Sequence, residues 1–504
     1  MSVTRGRAAV ALAAMLALAA MLALGAAGCQ GPSAFPCSSS TQCVLGDEQG
    51  TCADGYCAFP DSSCPGGMRY EPNAGDGRGG TCAGMPDAGP CGGVGQACCT
   101  LEGATCGDQA RCESGTCAAC ISDLAFGRRF GCVLAHDHSV WCAGENVKGQ
   151  LGLGIAGVSS ATRVQVRDAM SDPITDAVSI GAGREHACAI RAGGAVWCWG
   201  ANESGQLGNN VALPVPPAPP LPPRPAAVAV LKSDGTPLTG IVQVGGGYDF
   251  TCARDDVGAV WCWGKNAGGQ LGDGTTTSRN AAAPVLEGGA PLTGALELEV
   301  GAAMSCVRKT GDAVWCWGRN NDGQFGDGTR TPHPIPVLFA TTTSLALGNW
   351  HTCYLEADGA ITCTGWNGHA RLGIGTGSGY SDGDHTTREK VLTAKGGAPF
   401  TGAKEVVAGG VSCALMQDSG VYCWGDNHYG QSGTGQGETV PAKVRTADGE
   451  PLTGVERLVV GYTHICAIQG SGEVLCWGRN NDGDLGTGAF GNRGFPERIE
   501  SACR

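Results

Sequence analysis

The sequence predicts an all-β protein, a seven-bladed β-propeller preceded by small disulfide-rich modules. Three observations carry that prediction. One short motif recurs seven times within residues 121–504. Each copy holds a pair of cysteines ten positions apart. Thirteen further cysteines crowd into residues 37–120 with hardly any Leu, Ile or Val between them, which sets that stretch apart as a different kind of structure.

The recurring element ends as Val196-Trp197-Cys198-Trp199-Gly200, Val260-Trp261-Cys262-Trp263-Gly264 and Val314-Trp315-Cys316-Trp317-Gly318, with four looser copies. Most copies continue as Asn-x-x-Gly-Gln-Leu-Gly, as in 202–208 and 266–272. Spacing runs from 47 to 64 residues, and an alternating apolar stretch precedes each copy. Several short strands per unit with glycine turns fit one propeller blade per repeat. Copies one and five are the least faithful: Ala143 stands in place of the second Trp, and Thr362 and Thr364 flank Cys363. Four segments of the type Pro237-Leu238-Thr239-Gly240 precede a strand and read as recurrent hairpin connections.

The cysteine pairs are Cys132 and Cys142, Cys188 and Cys198, Cys252 and Cys262, Cys306 and Cys316, Cys353 and Cys363, Cys413 and Cys423, and Cys466 and Cys476. A separation of ten lets the two residues face each other across a hairpin with a three-residue loop. Opposed Cα atoms then lie roughly 4.5–5.5 Å apart, inside disulfide range. Zinc ligation lacks a recurrent His to complete its shell, whereas buried free thiols filling a tight core are a second physical option. The tryptophans alternate with the cysteines, so they lie on the opposite strand face and read as packing between blades. Trp350 and Trp366 fall outside the repeat pattern, which makes them the candidate ligand-binding residues.

With 29 cysteines, the chain suits an oxidising compartment. The N-terminus agrees: Arg5 and Arg7 precede an apolar run over 8–27, then Gly28 and Cys29. The ending Ala26-Ala27-Gly28-Cys29 resembles a bacterial lipobox, which implies lipid attachment at Cys29; the run is also long enough to span a bilayer. The expected division is a signal peptide at 1–28, a cysteine-rich region at 29–120 and the propeller at 121–504. The cysteine-rich region has too few apolar side chains to offset its chain entropy, so covalent loops must hold it. Outside Cys29 and the fourteen paired positions, an even number of cysteines remains. Cys120 precedes the first blade and Cys503 follows the last, so a bond between them would close the ring.

The run Gly-x-x-His-x-Cys followed by Val-Trp-Cys-Trp-Gly-x-Asn-x-x-Gly-Gln-Leu-Gly resembles the repeat of the regulator of chromosome condensation family, over about 121–499. The resemblance implies seven blades and a binding protein. Members that exchange guanine nucleotides work inside cells, which does not fit export. Plant ultraviolet-sensing members depend on tryptophan clusters not found at equivalent places here.

With net charge −13, glycine at 86 copies and no basic stripe, the chain is not expected to bind nucleic acid. The nine histidines are scattered without a recurring nucleophile or carboxylate partner, so no catalytic residue, metal ligand or cofactor is expected. The expected function is a non-enzymatic, monomeric scaffold of the bacterial cell envelope, lipid-anchored at the outer membrane or cell surface, or secreted. It would hold a protein or glycan through loops on one propeller face. A secreted enzyme acting on polysaccharide or peptide and a structural envelope component are the alternatives.

Overall fold

Each repeat folds into one blade because its apolar residues alternate along short strands and its glycines sit where the chain reverses. The computed structural model describes residues 121–214, 218–377, 383–435 and 437–499, with the backbone of seven short strands between residues 44 and 119. Cys29, Cys120 and Cys503 lie outside the described residues.

Seven four-stranded antiparallel sheets follow one another, each taking its strands in sequence order. They span 121–165, 177–229, 241–284, 297–341, 344–390, 403–443 and 455–498, and are called blades 1 to 7. The first strands of neighbouring blades contact one another around a central channel, and the strand of blade 7 (Val455–Val460) returns to that of blade 1 (Ile121–Phe126). The Pro-Leu-Thr-Gly segments form the returning arm of a short antiparallel turn, as in the Leu231–Pro237 pairing, and their apolar residues Leu238, Leu292, Phe400 and Leu452 are buried.

The second and third strands of each blade form the hairpin that carries the cysteines. In blade 1 the Ala135 N–H donates to the Ser139 carbonyl, which closes a three-residue loop. The third loop residue has positive φ in every blade: Gly194, Gly258, Gly359 and Gly472 in four, and His138, Asp312 and Ser419 in the others. That register places the two cysteines directly opposite each other.

All seven pairs are joined. Cys132 bonds Cys142, Cys188 bonds Cys198, Cys252 bonds Cys262 and Cys306 bonds Cys316. Cys353 bonds Cys363, Cys413 bonds Cys423 and Cys466 bonds Cys476. The Cα separations are 4.0–4.2 Å, which corrects the 4.5–5.5 Å expected from the sequence. The reason is the register, which gives the tighter, non-hydrogen-bonded kind of opposed pair, drawn in further by the bond. Cys423 is representative: it faces Cys413 across the blade 6 hairpin with Cα atoms 4.1 Å apart, and both residues are fully buried.

Cysteine and tryptophan point to opposite faces of the third strand, so each interface pairs the disulfide of one blade with the aromatic ring of the next. Cys132 and Cys142 share a core with Trp199, Cys188 and Cys198 with Trp263, and Cys252 and Cys262 with Trp317. Cys353 and Cys363 of blade 5 meet Trp424 in the same way, and Cys413 and Cys423 of blade 6 meet Trp477. Polarisable sulfur against an aromatic ring adds favourable contact to the area buried. Each indole N–H donates to a carbonyl in the turn of the preceding blade, as from Trp199 to Gln150 at 2.9 Å and from Trp263 to Gln206 at 2.8 Å. In blade 5, where Thr364 replaces the tryptophan, Tyr354 fills the interface to the Cys306–Cys316 disulfide of blade 4, and Arg388 lies 4.1 Å over its ring.

The Gly-x-x-His/Phe element has a steric cause. A Cβ on Gly247 would lie 1.9 Å from the Phe250 ring, and one on Gly183 would lie 2.1 Å from the His186 ring. Only glycine lets the ring fold back over its own loop.

Among the described residues, no strand is exchanged between the first and last blades. The ring closes through packing of Ile121, Leu124 and Phe126 against the Cys466–Cys476 disulfide of blade 7 and Ile499. An ion pair from Arg457 to Asp123 at 2.6 Å and an edge contact of Phe126 with His464 complete the seam.

The N-terminal compact unit covers Met1–Ala118, and the second covers Ala119–Arg504. In the first, Thr51–Ala53, Tyr56–Pro60 and Met68–Tyr70 form a three-stranded antiparallel sheet, and Ala110–Glu113 pairs with Thr116–Ala119.

Candidate functional site

The loop between the first and second strands of each blade falls at one mouth of the channel, because every first strand runs the same way along it. Backbone bonds tie these loops together: Arg128 N–H donates to Arg184, Arg184 to Gly247, Tyr248 to Ala302 and Asn349 to Gly409, all at 2.8–3.1 Å. The side chain at this position varies among the blades: Arg128 and Arg184 in blades 1 and 2, Tyr248 and Tyr462 in blades 3 and 7, and Ala302, Asn349 and Gly410 in blades 4 to 6. Arg128, Arg184, Tyr248, Asn349 and Tyr462 project there and border a cavity of ≈ 390 Å³.

Aromatic rings form its floor. Tyr248 of blade 3 stacks on Tyr462 of blade 7 at 5.4 Å, and Trp350 meets Tyr248 edge-on at 6.1 Å. Trp366 packs edge-on against Trp350 at 5.3 Å. The structure thus brings the two sequence-selected tryptophans into one site. Burial pushes the Tyr248 phenol up to about 12 and the Tyr462 phenol well above its usual range, so both stay neutral hydrogen-bonding groups.

Arg371 organises the wall. Its guanidinium lies 4.5 Å over Trp366 and 5.4 Å over Trp350. It donates to the Gly410 carbonyl at 2.7 Å and the Gly368 carbonyl at 3.2 Å, and reaches Asp426 at 3.5 Å. Arg371 is buried, with aromatic faces, carbonyl dipoles and the Asp426 carboxylate around its charge. With Arg128 and Arg184 it gives the cavity lining three cations against Asp426, with Glu185 beside Arg184 at 3.8 Å. A protein of net charge −13 therefore carries a locally cationic, aromatic mouth.

The turn that supplies Trp366 and Arg371 departs from the repeat. Where all other blades read Asn-x-x-Gly, continued as Gln-Leu-Gly in blades 1 to 3, blade 5 reads Asn367-Gly368-His369-Ala370-Arg371-Leu372-Gly373. The repeat glycines at this point have φ of +76 to +84 (Gly149, Gly205, Gly269, Gly323, Gly430, Gly483), but blade 5 places His369 and Ala370 in the left-handed region, both at φ +59. Each such residue costs about 1–2 kcal/mol. Strain retained at one blade of seven, at the mouth pocket, marks that turn as built for something other than packing.

The opposite mouth is of another character. Glu297, Glu299 and Glu405 line a cavity of ≈ 510 Å³ together with Arg308 and Arg457. Burial in the channel wall, with repulsion from Glu297 and Glu405, pushes Glu299 up to about 8. Three histidines stand at the blade interfaces rather than at either mouth. His186 meets Thr251 at 2.8 Å and His351 meets Ser412 at 2.7 Å. Burial holds His186 down to about 4 and His351 and His464 to about 3, so all three are neutral.

Of the residues singled out in the sequence, the fourteen paired cysteines, from Cys132 through Cys423 to Cys476, lie inside the blade interfaces, and Trp350 and Trp366 lie at the mouth. Cys423 lies only three residues before Asp426, yet it faces the blade 7 interface and takes no part in the cavity lining. Sequence reasoning missed Arg371, His369, Asp426 and His428, whose proximity depends on turns of blades 5 and 6 meeting. The signal available was the broken glycine position in the blade 5 turn.

These features define a class: a repeat-built, seven-bladed propeller with one elaborated mouth. The repeats are those of the regulator of chromosome condensation (RCC1) type. Two profiles of that repeat match residues 177–206, 241–270, 412–431 and 455–484, and residues 193–254, 257–289, 312–355 and 471–503. Among curated proteins, the chain is 28% identical over 383 residues to the ultraviolet-B receptor UVR8 of Arabidopsis thaliana, a match covering 72% of this chain and 77% of that one. It is 27% identical over 320 residues to the human E3 ubiquitin-protein ligase HERC2, covering 61% of this chain and 6% of the ligase. Among solved structures, human WBSCR16 aligns with TM-score 0.57 at 19% identity, over 72% of this chain and 94% of that one. Yeast RCC1 (Prp20), solved bound to Kap60, aligns with TM-score 0.56 at 19% identity, over 72% and 84%. These structural likenesses establish the fold. That yeast protein binds other proteins, as its complex with Kap60 records.

Proposed function

We propose that this chain is an exported, lipid-anchored interaction scaffold of the bacterial envelope that captures an anionic segment of a partner protein at its cationic mouth. The observation that carries the binding is the cavity in which Arg128, Arg184 and Arg371 converge on Trp350, Trp366 and Tyr248. Aromatic faces supply contact area with little side-chain entropy to lose, and arginines supply directional donors to carboxylates. The repeat architecture supports a binder, because its rigid blades hold loops in fixed relation. Export is supported by the basic, apolar and small-residue N-terminal pattern ending at Cys29, and by a disulfide in every blade, which a reducing cytosol would not maintain.

The binding reading is tested with the full chain as bait in cross-linked envelope extracts, analysed by mass spectrometry. The double variant Arg128→Glu/Arg184→Glu, half-exposed positions that leave the blade cores intact, should lose the partner that the parent retains. Equal recovery by both would overturn the mouth as the binding face. Recovery of a glycan in place of a protein would replace the partner class. For the anchor, palmitate labelling of the parent and its loss in Cys29→Ser is the expected result. An unlabelled parent would contradict it.

A further inference from the structure

We propose that His369, Asp426 and His428 form a binding site for a divalent transition-metal ion of the zinc type at the rim of the mouth. The three side chains offer one donor atom each, and these atoms lie within 4.8 Å of one another. They come from two blades: His369 from the three-residue turn Gly368–Ala370, and Asp426 and His428 from the turn that follows the third strand of blade 6 (Val421–Gly425).

The geometry is already directed. The Asp426 carboxylate is divided between two neighbours: Oδ1 meets His428 Nδ1 at 2.5 Å, while Oδ2 faces Arg371 at 3.5 Å. The His369 and His428 rings stand nearly perpendicular, 4.8 Å apart at 88°. A tetrahedral ion with bonds of about 2.0–2.1 Å holds its donors about 3.3 Å apart, which rotation of these half-buried and exposed side chains can reach. Two imidazoles and one carboxylate suit zinc, nickel or copper far better than calcium or magnesium, which take oxygen donors.

A second observation stands apart from the donor set. His369 keeps a left-handed backbone at φ +59, and Ala370 beside it does the same where the repeat has glycine. Together they set the turn against blade 6, with the His369 ring beside that of His428. Three protein donors leave at least one coordination position open, and all three residues also border the cavity of Trp350 and Trp366. The site stands whether or not the mouth binds a protein.

The test uses the full chain, stripped with a chelator and titrated with zinc against a chromophoric competitor. The parent should bind one equivalent that Asp426→Asn and His428→Ala each weaken at least tenfold. His333→Ala, a histidine on another blade, should leave it unchanged. His369→Gly removes a donor while suiting the left-handed backbone, so it should lose the ion with melting temperature unchanged or raised. Copper or nickel should quench tryptophan emission in the parent and not in His369→Gly, because the Trp366 ring lies 6.1 Å from His369. No zinc bound by the parent, or equal binding by parent and the three site variants, would overturn the proposal.

Discussion

Replacing Trp263 with alanine tests how the blades hold together. The indole is fully buried between blades 2 and 3, against Cys188, Cys198, Leu207 and Ile241. Removing it leaves a cavity, and buried Trp→Ala changes cost about 3–5 kcal/mol. The lost bond from its N–H to the Gln206 carbonyl at 2.8 Å adds little, because that carbonyl keeps the Thr251 hydroxyl at 2.8 Å. Trp261, two residues earlier on the same strand face, is half-buried with Lys232 over its ring at 5.4 Å. Its removal should cost about 1–2 kcal/mol, since part of its surface already meets water. For a ring of this length the unfolding entropy is about 0.8 kcal/mol/K, so Trp263→Ala should melt about 4–6 °C below the parent. Scanning calorimetry of both single variants gives the comparison. A Trp263→Ala shift no larger than that of Trp261→Ala would refute the view that the inner tryptophan joins the blades.

Acid should weaken the fold through the interface histidines. His186, His351 and His464 titrate lower in the folded chain than unfolded, so the unfolded state binds more protons below pH 6.5. Each removes about 1.4 kcal/mol of stability per pH unit between 6.5 and its folded value. Glu299 and Asp484, raised to about 8 and about 7 chiefly by burial, act in the opposite sense as pH falls from those values. The clean measurement is therefore His186→Phe, the residue type that blades 1 and 3 use at this position. Its guanidinium midpoint should fall less steeply than the parent's from pH 6.5 to 4, and identical slopes would count against the assignment. Gly247→Ala should destabilise by more than about 3 kcal/mol or prevent folding, because its Cβ would lie 1.9 Å from the Phe250 ring. A near-neutral change in thermal melting would show that the loop relaxes freely. Cys252→Ala/Cys262→Ala opens a loop closed at a separation of ten residues and should cost about 3 kcal/mol, read as a lower denaturant midpoint. No shift would mean that the staple adds nothing to the packed hairpin.

The blades were legible in the sequence because seven copies of one motif average out local ambiguity. The cysteine spacing even specified hairpin register and loop length. Assigning cysteine and tryptophan to opposite faces followed from period two alone. That five of the seven disulfides lie under the next blade's tryptophan, as Cys413 and Cys423 lie under Trp477, did not, because it depends on how neighbouring sheets face each other. At the mouth, Trp350 and Trp366 were visible as departures from the repeat. Their stacking under Arg371 was not, since it depends on the backbone course of the blade 5 turn, and the meeting of His369 with Asp426 and His428, 57 and 59 positions on, was not, since it depends on how blades 5 and 6 meet. At the seam Ile121 and Ile499 are buried in one cluster, while the bond between Cys120 and Cys503 expected from the sequence lies outside the described residues.

Peptide mapping under non-reducing conditions, on protein recovered from its native envelope, tests the stapled and exported propeller most directly. Seven linked peptides should appear, each joining cysteines ten residues apart from Cys132–Cys142 to Cys466–Cys476, with an eighth joining Cys120 to Cys503 across the seam. Cys120 linked elsewhere would remove the clasp, and free thiols or exchanged partners within the blades would contradict the account itself.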